Sequence, residues 1–320
     1  MHAIAELGFQ YCTPVQAEIL PKVLKDLDAT GRAQTGTGKT AAFLISILTH
    51  ILRHPLEEKR KPGTPRALIL APTRELVLQI EKDARGLSKY CSGVRTLAIY
   101  GGMDYTKQRR ELEHGTVDIM VATPGRLLDF KSKGGLTLAK VEIMVIDEAD
   151  RMLDMGFIPD VRRIIESTPP KTRRQTMLFS ATLTPEVVRL ASRWTNDAVT
   201  VEIDPEQVAT ESVDQKVYIV TAEEKFKVLY NLVITHNLER VLVFCNRRDD
   251  SQELAERLAK MGVVTGLLSG DVSQTSRIKT LEAFRGGQIR VLVATDVAGR
   301  GLHVEDISHV VNFNMPLNPD

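Results

Sequence analysis

Short apolar runs alternate along this chain with longer stretches whose apolar residues recur at helical spacing. Residues 67–71, 95–100, 117–122, 141–146 and 176–180 form one series of runs, several of them apolar at successive positions rather than at every second one. A strand covered on both faces needs no polar alternation, so these read as buried parallel strands. After Thr40, the residues Leu44, Ile47, Leu48 and Ile51 follow the i, i+3, i+4, i+7 spacing of a helix that packs one face on a sheet. The pattern restarts at 216–220 and continues through 241–244, 263–268, 289–294 and 310–313, again with helical periods between. It predicts two α/β units, each a mainly parallel sheet flanked by helices. Periodicity weakens across 196–214, where acidic, Pro and small residues gather. A linker is expected at 205–214, between units at 1–204 and 215–320.

Composition agrees with that division, because 320 residues with 43% hydrophobic content suit about two domains of roughly 150 residues each. The 42 basic and 41 acidic residues leave a formal charge of +1, so any nucleic-acid contact must be local. Cys12, Cys91 and Cys245 stand far apart with no Cys-x-x-Cys spacing, which points away from a disulfide framework or a zinc site. A reducing, cytoplasmic setting is expected. The N-terminus has no basic segment followed by an apolar core, and no run approaches the ~18 apolar residues of a membrane span. His50 and His54 sit at i, i+4 but lack the Glu that a zinc-protease helix carries between its two histidines. Residues 54–65 (HPLEEKRKPGTP) read as a charged surface loop in which Lys59-Arg60-Lys61 is a solvated turn.

Two segments carry chemistry. Ala33-Gln34-Thr35-Gly36-Thr37-Gly38-Lys39-Thr40 fits a phosphate loop, except that Ala33 stands where the pattern has its first Gly. Gly36 and Gly38 let backbone N–H groups turn toward phosphates, the following helix N-terminus adds positive potential, Lys39 reaches the β and γ oxygens, and Thr40 offers its hydroxyl to Mg²⁺. The strand that should precede this loop, 28–32 (DATGR), has poor β-propensity of its own. Downstream, Asp147-Glu148-Ala149-Asp150 closes the apolar run 141–146. A carboxylate there can hold Mg²⁺ (Asp147), and its neighbour (Glu148) can position or deprotonate a water for in-line attack on a γ-phosphate. Lys39, Asp147 and Glu148 are the expected catalytic groups, and ATP with Mg²⁺ the expected ligands.

With these motifs in place the chain resembles the DEAD-box ATP-dependent RNA helicases, from about Gly8 to its last residue. That resemblance implies two tandem RecA-like domains. Gly8-Phe9-Gln10-Tyr11-Cys12-Thr13-Pro14-Val15-Gln16 is similar to the family's Q motif, in which Gln16 would read the adenine edge and Phe9 would stack on the ring; a carboxamide both donates and accepts, as adenine requires. Thr35, Gly36, Thr37, Gly38, Lys39 and Thr40 would complete the nucleotide site in the first domain, with Asp296 contacting the ribose from the second. Pro72-Thr73-Arg74-Glu75-Leu76, Gly101-Gly102 and Thr123-Pro124-Gly125-Arg126 resemble the motifs that line the RNA path. They would grip its backbone through close Gly approach, Thr and main-chain donors and the charges of Arg74 and Arg126. Ser180-Ala181-Thr182 resembles the motif that couples ATP state to strand separation through Asp150. In the second half, Gln274, Arg277 and Thr295 would face RNA. Gly299 and His303 resemble bacterial helicases associated with the RNA degradosome.

The resemblance implies a monomeric, RNA-dependent ATPase that separates short duplexes, with RNA-degradation or ribosome-assembly proteins as partners. It also implies an arginine-finger motif, His-Arg-Ile-Gly-Arg-x-Gly-Arg, beyond Asp320; such fingers are typically worth ~10³ to 10⁵ in rate. On that reading the second domain is C-terminally truncated and this fragment's turnover is impaired. The alternative is a nucleotide-switched RNA clamp or partner-binding module with little turnover. A DNA translocase is disfavoured by the Q-motif residues together with the spelling Asp-Glu-Ala-Asp.

Overall fold

The computed structural model describes residues 2–33, 36–56, 60–202, 214–269, 274–295 and 307–315. The chain divides into two compact units, Met1–Val213 and Asp214–Asp320.

In the first unit seven strands form one parallel sheet in the order β3-β4-β2-β5-β6-β1-β7. They are β1 (Ala29–Arg32), β2 (Ala67–Leu70), β3 (Thr96–Ile99), β4 (Ile119–Ala122), β5 (Ile143–Ile146), β6 (Gln175–Ser180) and β7 (Val199–Glu202). Helices α1 (His2–Glu6), α2 (Pro14–Val23), α3 (Lys39–Arg53), α4 (Arg74–Leu87), α5 (Tyr105–Glu113), α6 (Pro124–Ser132), α7 (Ala149–Asp154), α8 (Ile158–Ile165) and α9 (Pro185–Trp194) connect and cover them. Register explains the continuous apolar runs. Ile69 of β2 is level with Val121 of β4 and Val145 of β5, and all three join one core with residues of α2, α3 and α4. Leu68 and Leu70 point the other way, into a second core with Leu127 of α6, Met152 of α7, Ile164 of α8 and Trp194 of α9. Both faces are covered, so both phases of each strand must be apolar.

Strand β1 forms against its own propensity because β6 and β7 clamp it from either side. Its Gly31 fits this slot: a Cβ there would lie 2.7 Å from the ring of Phe179, which packs against Phe43 with 5.6 Å between centroids. The stretch 196–214 is more structured at its start than its composition predicts, since β7 lies within it and pairs with β1. A four-residue strand with buried Val201 is too short to show in an acidic context. The loop at 54–65 also differs from expectation at Arg60. Its guanidinium pairs with Asp118 and donates to the carbonyls of Thr64 (2.7 Å) and Val117 (2.8 Å), so it ties the loop to the sheet rather than standing in solvent.

The second unit holds a parallel sheet ordered β11-β8-β10-β9, built from β8 (Val241–Cys245), β9 (Thr265–Leu268), β10 (Val291–Thr295) and β11 (His309–Asn312). Helices α10 (Lys225–Thr235), α11 (Arg248–Lys260) and α12 (Gln274–Arg285) accompany it. Its core gathers Val241, Val243, Val291 and Val293 with Leu229 of α10 and Leu254 and Leu258 of α11. The expected strand at 216–220 is not formed. Val217 and Ile219 are 87% and 99% exposed, and no described strand pairs with the segment. Alternation marks a strand only where a neighbouring strand and a covering layer exist to use it.

Candidate functional site

Because every strand of the first sheet runs the same way, all the turns that leave its strand C-termini gather along one edge, where α/β sheets bind ligands. The strand order sorts those turns into two groups. The turns after β1, β5 and β6 are neighbours, and they carry the phosphate loop, Asp147-Glu148-Ala149-Asp150 and Ser180-Ala181-Thr182. The turns after β2, β4 and β3 are neighbours on the other half, and they carry Pro72-Thr73-Arg74, Thr123-Pro124-Gly125-Arg126 and Gly101-Gly102.

In the first group, Gly36 and Gly38 have φ of 87° and 89°, a left-handed backbone that favours glycine. Gly38 is the N-cap of α3 and makes no side-chain cap bond, so the helix opens with N–H groups facing the loop. Lys39 is buried; its Nζ donates to the Ala33 carbonyl (3.3 Å) and lies 3.5 Å from Asp147 Oδ1. Thr40 follows, half-buried, in the first turn of α3. The carboxamide of Gln16 spans from the Q motif to this loop, its Nε2 donating to the Gly38 carbonyl (3.0 Å) while its Oε1 accepts from Thr13 N–H (3.1 Å). One amide hydrogen and one oxygen lone pair are left over, which is the pair of functions an adenine edge needs. A Cβ at residue 38 would sit 2.5 Å from Gln16 Nε2 and would push the carboxamide out of this position, on a backbone already in the left-handed region. Phe9 stands nearby in sequence with its ring 45% exposed. Thr37 is half-buried in the loop, whereas Thr35 and Asp296 lie outside the described residues.

Asp147 is fully buried at the end of β5. Its Oδ1 accepts from Glu148 N–H (3.0 Å), while Oδ2 is buried and has no hydrogen-bond partner among the described residues. A buried carboxylate oxygen left unpaired costs free energy, and a divalent cation is the partner its chemistry prefers. Asp147, with the Thr40 hydroxyl available from α3, therefore fits Mg²⁺. Glu148 has the left-handed backbone φ 53°, ψ 55° at the N-cap of α7, an uncommon conformation for a residue with a side chain. Burial, reinforced by the Asp147 charge, pushes its carboxyl above the ordinary range, and Arg151, 3.4 Å away, opposes that rise. The last acid of the motif faces the turn after β6. Asp150 Oδ2 accepts from Ala181 N–H (3.1 Å), Thr182 N–H (3.0 Å) and Thr182 Oγ1 (3.1 Å), and Asp150 N–H donates to Ser180 Oγ (3.2 Å).

In the second group, Thr73 caps α4 by accepting from Leu76 N–H (3.3 Å), while Pro72 is buried and shapes the turn rather than presenting a surface. Thr123 and the buried Pro124 open α6 with no side-chain cap bond, and Gly125 is exposed, so the first N–H groups of this helix are left for an anion. Gly102 has φ 80°, and Gly101 lies against the Arg74 guanidinium, 3.4 Å from where its Cβ would be. Arg126 is not free: Nη2 donates to the Met103 carbonyl (3.1 Å) and the group lies over the Tyr105 ring at 5.8 Å. In the second unit, Thr295 is buried at the C-terminal end of β10, Arg277 is half-buried on α12, and Gln274 is the first residue of that helix. Asn246, after β8, donates from Nδ2 to the Met315 carbonyl (2.9 Å).

Comparison with known proteins fits this arrangement. Residues 13–190 match the DEAD/DEAH box helicase family, and residues 224–320 match the helicase conserved C-terminal domain. The chain belongs to the DEAD/DEAH box helicase family. It is 59% identical over 320 residues to the ATP-dependent RNA helicase RhlB of Pseudomonas aeruginosa, covering all of this chain and 80% of that protein. It is 58% identical, with the same coverage, to the RhlB of Pseudomonas putida. Among solved structures, S. cerevisiae Dbp5 bound to RNA and ADP BeF3 superposes with a TM-score of 0.84 at 28% identity, over 99% of this chain and 78% of that one. The two α/β units are thus RecA-like helicase domains.

Two residues near these turns escape a reading of the sequence. Gln108 is 4% exposed and donates from Nε2 to the Tyr100 carbonyl (3.0 Å), directly before Gly101. The available signal was its phase, since Gln108 and Leu112 are four apart and form the buried stripe of an otherwise charged α5. Arg151 beside Glu148 gave no such signal, because a charged residue after an acidic motif is ordinary on a helix surface.

Proposed function

We propose that this chain is an ATP-dependent RNA helicase that binds one RNA strand by its backbone and couples ATP hydrolysis to local duplex separation. The observation that carries the proposal is the sorting of turns along one sheet edge, with Asp150 bonded across to Thr182 at the nucleotide group. On this reading Gln16 and Phe9 select adenine, and Gly36, Thr37, Gly38 and the α3 N-terminus cradle the phosphates. Lys39 moves from the Ala33 carbonyl onto the β and γ oxygens. Thr40 and Asp147 hold Mg²⁺, which supplies charge neutralisation on the phosphates. Glu148, kept in place by its turn and by Arg151, orients a water for in-line attack and accepts its proton.

The RNA half works through backbone contacts. Main-chain N–H groups at Gly101, Gly102 and the start of α6, the Thr73 and Thr123 hydroxyls and the Arg74 charge meet phosphates without reading bases. In the second unit the same reading gives Gln274, Arg277 and Thr295 to RNA and Asp296 to the ribose of ATP. Among the described residues no helix is long and apolar enough to cross a membrane. A cytoplasmic protein acting on RNA beside RNA-degradation or ribosome-assembly partners is the setting that fits.

The test pairs an ATPase assay with a duplex-release assay on the full-length protein. Single-stranded RNA should stimulate phosphate release well above single-stranded DNA, and a short RNA duplex should be released only with ATP. Equal stimulation by DNA, or stimulation without duplex release, would overturn the proposal.

A further inference from the structure

The Gly101-Gly102 turn is held at both ends by side chains from elsewhere. At its start the Tyr100 carbonyl accepts from Gln108 Nε2 (3.0 Å), and at its end the Met103 carbonyl accepts from Arg126 Nη2 (3.1 Å). Between these points Gly102 takes φ 80° and Gly101 lies against the Arg74 guanidinium. Just beyond, Asp104 caps α5 by accepting from Thr106 N–H (2.7 Å), and Tyr105 stacks on Phe130 of α6 with 4.4 Å between centroids. Since β4 lies between β3 and β2, Arg126 approaches this turn from the adjacent strand and Arg74 from the strand beyond it. The Arg126 Nη1 atom is buried and has no hydrogen-bond partner among the described residues, so the contact the group makes here is the one to the Met103 carbonyl.

We infer that Gln108 and Arg126 are positioning residues that fix the Gly101-Gly102 turn in the shape that receives an RNA backbone, so that Arg126 acts through the Met103 carbonyl and not through a phosphate. The inference rests on the proposed role of the turn in binding RNA. Its physical basis is the cost of ordering. A two-glycine turn has wide backbone freedom, and fixing it during binding would subtract that entropy from affinity. Two external hydrogen bonds order it beforehand. Gln108 suits the task because its carboxamide reaches the carbonyl from a buried helix face without bringing a charge into the core. Arg126 suits it because its guanidinium, lying over Tyr105, also joins α5 to α6.

The test uses the full chain, single-stranded oligouridylate and three variants: Arg126→Met, Gln108→Met and Gln108→Glu. Direct binding by fluorescence anisotropy is measured beside RNA-stimulated ATPase, with thermal unfolding as the check on folding. Losing one such bond should raise Kd and the RNA KM about tenfold, while kcat at saturating RNA stays within about twofold. Gln108→Glu is nearly isosteric but has no donor when ionised, so it should match Gln108→Met. Against salt, the slope of log K for Arg126→Met should equal that of the unaltered chain. A direct phosphate contact would instead reduce the slope by about 0.7. The inference is overturned by that reduction, by an unchanged RNA KM, by a loss confined to kcat, or by full activity in Gln108→Glu. If the unaltered chain binds oligouridylate yet does not hydrolyse ATP, the helicase reading fails, and the Kd comparison still decides the role of the two residues.

Discussion

Glu148 is the side chain on which hydrolysis is expected to turn most sharply. Its Glu148→Gln variant keeps size and hydrogen bonding but cannot accept a proton, so RNA-stimulated phosphate release should fall by about 10² to 10⁴. Binding of a fluorescent ATP analogue should be kept, and retained turnover would remove Glu148 from the role. Asp150 predicts a different failure. One carboxylate oxygen gathers three donors from Ala181 and Thr182, so Asp150→Ala removes these three bonds between α7 and the turn after β6 while leaving the main-chain bond to Ser180, and Asp147 and Glu148, in place. ATP hydrolysis should then continue with little duplex release, a change read as strands released per ATP consumed. Equal loss of both activities would mean that Asp150 supports the hydrolytic centre rather than coupling it.

Among the elements, β1 shows most plainly how neighbours override propensity. The segment Ala29-Thr30-Gly31-Arg32 becomes a strand because β6 and β7 supply both ladders and Phe179 fills the space a side chain would take. A Gly31→Val change improves β-propensity yet should destabilise the first unit by about 1–3 kcal/mol through overpacking. Urea unfolding followed by the fluorescence of Trp194, which belongs to that unit's core, would show whether packing or propensity wins. The segment 216–220 makes the converse point, since its alternating Val217 and Ile219 find no partner strand among the described residues. The apolar runs of β2, β4 and β5 were legible because burial on both faces removes polar positions altogether.

A charge network at the other end of β5 from Asp147 links the first unit to pH. His50 on α3 contacts Glu142 through Nε2 (2.9 Å) and Asp26 through Nδ1 (3.3 Å), and Arg66 pairs with the same Glu142 (2.7 Å). The bond to Glu142 raises His50 above its ordinary 6.5, against the opposing effect of burial, with Asp26 adding to the rise. Stability from His50 is therefore complete below pH 6.5 and is lost as pH rises through the higher folded value. Burial pushes Glu142 up, but its bonds to His50 and Arg66 outweigh that and hold it at about 2. Its contribution is complete above 4.5 and is lost as pH falls toward about 2. The melting temperature should decline as pH rises above 6.5, and His50→Gln should flatten that decline. An unchanged profile in the variant would show that other groups govern this range.

The sequence alone determined the chemistry and the layering. Gly36-Thr37-Gly38-Lys39-Thr40 and Asp147-Glu148-Ala149-Asp150 are local patterns whose residue types state their task, and runs such as 67–71 and 141–146 report burial directly. The order of strands was not legible, because parallel ladders join segments far apart in the chain and leave no mark on either one. That order is what divides the sheet edge into turns proposed to hold the nucleotide and turns proposed to meet RNA, and it brings Asp150 to Thr182, while the packing of α2 brings Gln16 to Gly38. The contacts of Arg60 and Arg126 also came only with tertiary packing. A cation reads the same in sequence whether it meets solvent, a phosphate or a backbone carbonyl, and only the fold chooses the acceptor.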